Sequence, residues 1–252
     1  MVKIYKTTYK KMYDYVFLLP TLNEEKNIKK LYIEYKKIPT QINYHTLFVD
    51  DSTNNLTILQ IKKYFKKNCT IISSNKSISR ASSRYLAFSE GVKYAVRNIN
   101  FKYLLDTDVD LPSMTYNINL LSRTFLNKKS NVIIFSKYHK KAKIKNRSLF
   151  RKIFSFMINF FLKFFFENDI QDYTSCRAYD YKICKIISSR KMIFKTPIGN
   201  IELLIFLKKR KFKINHIPFI YIDIRKGNST VNINTFKFCL IDFLKLIKRE
   251  MI

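Results

Sequence analysis

Glycine is nearly missing from this chain: 3 residues in 252, Gly91, Gly199 and Gly227. Glycine-rich phosphate loops need several glycines at short spacing, so neither a P-loop nor a dinucleotide fingerprint can be written, and any phosphate must be held by cations. The 4 cysteines (Cys69, Cys176, Cys184, Cys239) form no CxxC pair and the 3 histidines (His45, His139, His216) are scattered, so no zinc spacing exists. Reduced thiols in a cytosolic compartment are the simplest account. Long apolar runs are absent too. The greasiest stretch, residues 153–166, is interrupted by Asn159 and Lys163 and falls short of the about 20 residues that span a bilayer. Residues 1–11 are polar and basic with no apolar core, so no signal peptide is expected.

Acidic residues are scarce, 18 against 48 Lys and Arg, for a formal net charge of +30. That balance suits nucleic acid, an anionic membrane surface or a phosphorylated substrate. Lys, Ile and Asn are abundant everywhere, so part of the excess is background composition. The clusters are more informative: residues 137–145 with Arg147, Arg151 and Lys152, then 208–213, then Arg225 and Lys226. No Arg-rich recognition helix, RNA-binding aromatic motif or zinc finger accompanies them, and acidic loops would repel a phosphodiester backbone, so nucleic acid is not an expected partner.

The acidic residues that are present fall in telling places. The apolar run 101–105 ends in Asp106-Thr107-Asp108-Val109-Asp110, which delivers three alternating carboxylates to the end of a buried strand. Hard oxygen ligands so spaced suit Mg²⁺ or Mn²⁺ held together with substrate phosphates, whereas a lone run of this kind would also pass for a polar turn. Two earlier apolar runs finish similarly, one in Pro20-Thr21-Leu22-Asn23-Glu24-Glu25 and one, through Val49, in Asp50-Asp51-Ser52-Thr53. In open α/β sheets ligands lie outside the carboxyl ends of the strands, so the three loops belong to one crevice.

With 47% hydrophobic residues the chain is large enough to bury a full core. The alternation predicts strands at 14–20, 43–50, 69–73, 101–105 and 131–136, with helices at 23–37, 56–67, 79–98 and 112–126 between them. Asn23 is expected to cap the first helix, whose opening turn carries Glu24 and Glu25. Such βαβ repetition implies a mostly parallel, right-handed wound sheet flanked by helices. From 147 onward Arg151, Ser155, Asn159, Lys163 and Glu167 recur every fourth residue, a narrow polar stripe on a helix otherwise made of Ile, Phe, Met and Leu. That helix is either buried by the domain or seated in a membrane interface. A further amphipathic helix carrying Glu202 is expected over 199–211. A strand at 213–224 is relegated to an edge or bulge by Pro218, and a basic amphipathic helix follows at 236–249. The natural division is a domain over 1–230 and a C-terminal basic helix over 231–252.

Taken in order, these motifs resemble the family-two, GT-A-type glycosyltransferases, and among them the dolichol-phosphate (polyprenyl-phosphate) sugar synthases, over residues 14–230. Pro20-Thr21-Leu22-Asn23-Glu24 resembles the family's P-[ST]-x-N-E, Val49-Asp50-Asp51-Ser52 its VDD-S/N, and Asp106-Thr107-Asp108 its DxD. Ser136-Lys137-Tyr138 stands where S-R-Y is usual, Arg151 and Ser155 match an Arg-x-x-x-Ser, Asp172-Tyr173-Thr174-Ser175 resembles D-x-T-S, and Arg225-Lys226-Gly227-Asn228-Ser229 matches R-x-G-x-S. Departures include Lys137 for Arg, Cys176 for Gly with one residue fewer before Arg177, and Thr230 for Lys. Trp is 0, so the QxxRW signature of processive polysaccharide synthases is absent.

The resemblance implies a single GT-A (Rossmann-like) domain with amphipathic interface helices. It implies inverting transfer of a hexose from a GDP-mannose or UDP-glucose type of donor to a polyprenyl phosphate. Pro20, Leu22, Asn23, Glu24, Val49, Asp50, Asp51 and Lys137 would then bind the nucleotide sugar, and Arg151 and Ser155 the acceptor phosphate. Asp106, Asp108 and Asp110 would hold Mg²⁺ or Mn²⁺, with Asp106, Asp108 and Arg225 acting on the leaving diphosphate. The implied setting is cytoplasmic, peripheral to the cytosolic face of a membrane, with a small membrane-anchoring subunit as a further partner. If the acceptor were a sugar hydroxyl, a carboxylate base would be required, for which Glu202 is the candidate.

Overall fold

The computed structural model describes residues 11–73, 83–109, 114–145, 149–166, 169–222 (without 192, 195 and 197) and 233–251. Its elements run β1 (Met12–Thr21), α1 (Glu25–Tyr35), β2 (Tyr44–Asp50), α2 (Leu56–Tyr64), β3 (Cys69–Ser73), α3 (Ser83–Asn98), β4 (Asn100–Asp106), α4 (Met114–Lys128) and β5 (Val132–Ser136). There follow β6 (Lys143–Lys145), α5 (Leu149–Phe166), β7 (Arg177–Asp180), α6 (Tyr181–Ser189), α7 (Ile198–Lys209), β8 (Ile214–Pro218), β9 (Ile220–Ile222) and α8 (Ile233–Met251).

Seven strands form one sheet in the order β3-β2-β1-β4-β7-β5-β8, parallel except for β7, which runs antiparallel to both neighbours. The four β/α repeats from β1 to β4 are those legible in the alternating pattern. β7 was not predicted: four residues between a polar loop and a helix carry no period of their own, and only the slot between β4 and β5 makes them a strand. The strand expected at 213–224 divides. Pro218 closes β8, which is the sheet edge, and β9 leaves to pair with β6 in a separate two-stranded ribbon.

Alternation along each strand splits the core between the two faces of the sheet. Val16, Leu18, Val49 and Leu104 face α3, α6 and α7, whereas Phe17, Leu19, Phe48 and Leu105 face α1, α2 and α4. Gly91 lets α3 lie close on the first face, since a Cβ there would come 2.3 Å from Leu18 Cδ1. Pro20 is tolerated in central β1 because pairing with β4 has already ended at Leu18↔Asp106, so its missing N–H costs no ladder bond on that side.

Only the middle of the polar stripe of α5 faces inward, since Lys163 is exposed. Ser155 and Asn159 are buried beside Leu162, while Ile153, Phe156, Met157, Phe160, Phe161 and Phe164 are exposed, Phe164 at 69%. On α8, Leu246 is buried and Phe238, Leu240, Ile241 and Leu244 are exposed. An exposed apolar row of this extent is what a protein buries against another surface. Among the described residues no helix is long and apolar enough to cross a membrane.

Candidate functional site

The ends of β1, β2 and β4 are adjacent because those strands are neighbours with Thr21 opposite Asp50 and Leu18 opposite Asp106. Two loop amides prolong the pairing, Asp51 N–H to the Thr21 carbonyl (3.0 Å) and Thr107 N–H to the Leu18 carbonyl (3.1 Å). The three acidic or polar loops therefore share one rim of the sheet.

Between the β1 and β2 loops the polar groups are mutually satisfied. Asp50, 2% exposed, accepts at one oxygen from the hydroxyls of Thr21 (2.7 Å) and Ser52 (2.6 Å). Asn23 does not cap α1. It sits at φ 55, donates its N–H to Ser52 Oγ (2.8 Å) and accepts from Thr53 N–H (3.2 Å). Asn tolerates the left-handed region better than most residues, and that conformation turns its side chain across to the neighbouring loop instead of back onto the helix. Glu24 takes the cap position without a side-chain cap. Its amide donates to Thr57 Oγ1 (3.0 Å) and its carboxylate accepts from Asn27 (2.7 Å). Leu22 and Pro20 are half-buried at this seam and Val49 is fully buried behind it.

Asp51 differs from Asp50. It is half-buried, and burial, with Glu90 and Asp50 nearby, pushes its carboxyl from 3.8 up to about 7. A carboxyl raised in the folded state binds its proton preferentially there, so its contribution to stability is complete below about 4 and is lost as pH rises through about 7. Asp51→Asn, which cannot ionise, should match the wild type in denaturant unfolding at pH 4 and exceed it at pH 8. Each tenfold change in proton affinity is worth ~1.4 kcal/mol, and solvent screening at this partly open position reduces the gain to the order of 1 kcal/mol. Equal stabilities at pH 8 would contradict this.

The carboxylates after β4 are occupied by an arginine. Arg84, in the first turn of α3, donates through Nη2 to Asp106 Oδ1 (3.1 Å), through Nη1 to Asp106 Oδ2 (3.4 Å) and through Nε to Asp108 Oδ1 (2.7 Å). Asp106 is 1% exposed, while the side chains of Arg84 and Asp108 are 35% and 31% exposed. Burial works against the Arg84 charge, but the two carboxylates hold its guanidinium well above its ordinary value. Burial likewise raises the Asp106 carboxyl, with Arg84 pulling it back. Arg177 lies opposite Asp106 in the sheet, buried, and donates to the Tyr173 carbonyl. Cys176 is buried with its thiol pushed up to about 12 by burial, so it is an inert wall of the crevice. Asp106 and Asp108 are hard ligands of the kind Mg²⁺ or Mn²⁺ takes, and the same two residues would hold such an ion. Among the described residues no third His, Cys, Asp or Glu joins them. Asp110 and Arg225 lie outside the described residues.

Lys137 and Ser155 meet at a second polar cluster, between the end of β5 and α5. Asp172, fully buried, accepts from the Lys137 amide (3.0 Å), from Lys137 Nζ (3.0 Å) and from the amide and hydroxyl of Thr174 (both 3.0 Å). Ser155 Oγ lies 3.1 Å from both Tyr138 Oη and Thr174 Oγ1, and Asn159 accepts from the Tyr173 amide (2.7 Å). The Lys137 side chain is 7% exposed. Arg151 is on α5 one turn before Ser155, with its side chain outside the described residues. Glu202 is taken up elsewhere: 1% exposed on α7, it accepts from Arg190 (3.0 Å), Arg249 (3.2 Å) and the Phe194 amide (3.4 Å).

No family model matches the chain. Solved structures do. Glucosyl-3-phosphoglycerate synthase (GpgS) of Mycobacterium tuberculosis, in complex with Mn²⁺, UDP and glucosyl-3-phosphoglycerate, superposes with a TM-score of 0.60 at 12% identity, over 94% of this chain and 76% of that one. TarS 1-349 of S. aureus gives 0.55 at 16% identity over 83% of this chain, which spans only 60% of that structure. TarS bound to UDP-GlcNAc gives 0.58 at 13% identity over 90% and 65%. The fold is GT-A.

Within that GT-A sheet two functional candidates were missed or underrated by sequence. Arg84 is one of 48 cationic residues, and its partners are 22 and 24 residues away across the sheet, so no local signal marks it. Asp172 was visible only as part of a motif, whereas the structure makes it the acceptor that fixes Lys137 and Thr174.

Proposed function

We propose that this chain is an inverting glycosyltransferase that moves a hexose from a nucleotide-diphosphate sugar, of the GDP-mannose or UDP-glucose type, to a polyprenyl phosphate. The observation that carries the reading is the convergence of Asn23, Glu24, Asp51, Asp106 and Asp108 on one rim of a GT-A sheet. In this reading Pro20, Leu22, Asn23, Glu24, Val49, Asp50 and Asp51 shape the nucleoside end, with Asp50 fastening the loops and Asp51 meeting the base or ribose. Asp106 and Asp108 hold the cationic end. A divalent ion bound there, with Asp110 nearby, would supply charge neutralisation for the leaving diphosphate. Arg225 would add a second positive charge.

The acceptor end falls to Lys137, Arg151 and Ser155. A lipid phosphate is anionic at neutral pH and needs no strong base to make it a nucleophile, so positioning is the main requirement. The engagement of Glu202 by two guanidiniums supports a reaction that does not use it as a base. The exposed Phe row of α5, the apolar face of α8 and the net charge of +30 support attachment to the cytosolic face of an anionic membrane, with or without a small anchoring subunit. The GpgS complex with UDP-glucose and phosphoglyceric acid favours a second reading, in which the acceptor is a hydroxyl of a water-soluble compound.

Purified protein supplied with Mn²⁺, labelled GDP-mannose, UDP-glucose or UDP-GlcNAc and a polyprenyl phosphate should carry label into organic solvent. Arg151→Ala should raise the apparent KM for the lipid phosphate about tenfold or more, the worth of a lost charge-assisted bond, while leaving the donor KM unchanged. Label that stays in water on a hydroxyl compound, with Arg151→Ala silent, would replace the lipid-phosphate reading by the second.

A further inference from the structure

We propose that Arg84 is a gate on the Asp106–Asp108 pair: it is the cation of the nucleotide-free site, and a divalent ion can enter only by displacing it. This rests on the reading of the pair as the cation-holding end of the donor site. The argument is one of occupancy. Three guanidinium nitrogens engage three of the four carboxylate oxygens, two of them on a residue with 1% exposure. A planar guanidinium held at two oxygens of one carboxylate and one of the next leaves a divalent ion no pair of free oxygens on this side.

Electrostatics points the same way. Two carboxylates and the Arg84 guanidinium sum to a single negative charge, which the buried Arg177 opposite Asp106 already offsets, so a divalent ion added without moving Arg84 would meet two other cations in a partly closed site. The guanidinium is also the more easily moved partner. It is 35% exposed, on a long side chain at the first turn of α3, while Asp106 is fixed at the end of a central strand. Displaced from the carboxylates, Arg84 needs another anion, and a diphosphate arriving at the same rim would supply one. Cation and nucleotide binding are then coupled through Arg84, and the coupling is reciprocal.

The test is an Mn²⁺ titration of the full chain without nucleotide, read by the paramagnetic resonance of free hexaaqua Mn²⁺, so it needs no transfer activity. Arg84→Gln should bind Mn²⁺ about tenfold more tightly than the wild type, the effect of removing one charged competitor, and Asp108→Asn in that background should erase the gain. Arg84→Lys, which cannot span both carboxylates, should show a smaller gain in the same direction. It decides the matter alone if thermal melting shows Arg84→Gln unfolded. Equal or weaker Mn²⁺ binding by a folded Arg84 variant overturns the proposal. Adding UDP should tighten Mn²⁺ binding in the wild type more than in the variant. Absence of any UDP effect, with the Arg84 effect intact, would sink the nucleotide-sugar reading and leave the gate standing.

Discussion

Asp108→Asn is expected to lower kcat for sugar transfer by about 10²–10³-fold, the loss usual when a fixed group that stabilises transition-state charge is removed. Its carboxylate is half of the pair that holds positive charge at the end of β4, and it is the exposed half, 31% accessible against 2% for the side chain of Asp106. For that reason its removal should cost little stability: Arg84 keeps both bonds to Asp106, and an ion pair half-open to solvent on both sides is worth on the order of 1 kcal/mol. The expected signature is therefore a near-silent melting curve with turnover lost. Turnover close to wild type in a folded Asp108→Asn protein would remove the pair from the chemistry.

Glu202→Ala should do the opposite, with unfolding free energy falling by about 3 kcal/mol, the lower end of the ~3–5 kcal/mol seen when one partner of a buried ion pair is deleted. The lower end applies because Arg190 and Arg249 are 21% and 32% exposed and recover some hydration. What remains is two neighbouring guanidiniums that have lost their shared buried carboxylate, Arg249 keeping only its bonds to the partly exposed Glu250. Arg190 is stacked on Phe206 at 3.8 Å and Arg249 lies over Phe194 at 5.3 Å, so neither can leave without giving up ring contact. Because Arg249 is on α8 and Glu202 on α7, the loss should loosen the C-terminal helix first, visible as faster amide exchange around Leu246. Glu202→Gln keeps the shape and one acceptor and should cost less. Folded Glu202→Gln with transfer abolished would restore the base assignment that the ion pairs argue against.

Much of the first half of the fold was legible because each strand there is buried on both faces and each helix shows one apolar side. The runs ending at Pro20, Asp50 and Asp106 announce three neighbouring strands, and polar residues straight after them announce the crevice. The second half was harder for reasons that differ by element. β7 is four residues long and antiparallel, so neither its length nor its pattern separates it from the loop before it. The expected single strand at 213–224 breaks at Pro218 because the chain there changes partner, from β5 to β6. The stripe on α5 is legible in the sequence, but whether Ser155 and Asn159 face water or protein depends on what lies opposite: Tyr138, Thr174 and the Tyr173 amide meet them from other segments.

Composition and motif order alone determined that the chain carries no glycine loop for phosphate, that a mostly parallel α/β sheet would form, and that Asp50, Asp51, Asp106 and Asp108 would stand at the ends of its strands. These are local facts, set by residue type and by periods of two and 3.6. Tertiary structure alone decided which charges meet. Arg84 reaches Asp106 and Asp108 because α3 begins beside the end of β4. Glu202 is locked between α6 and α8 by Arg190 and Arg249, and Asp50 is spent on fastening loops while Asp51 is left half-open. Ion pairing depends on the distance between atoms after folding, and no spacing along the chain encodes a separation across the sheet.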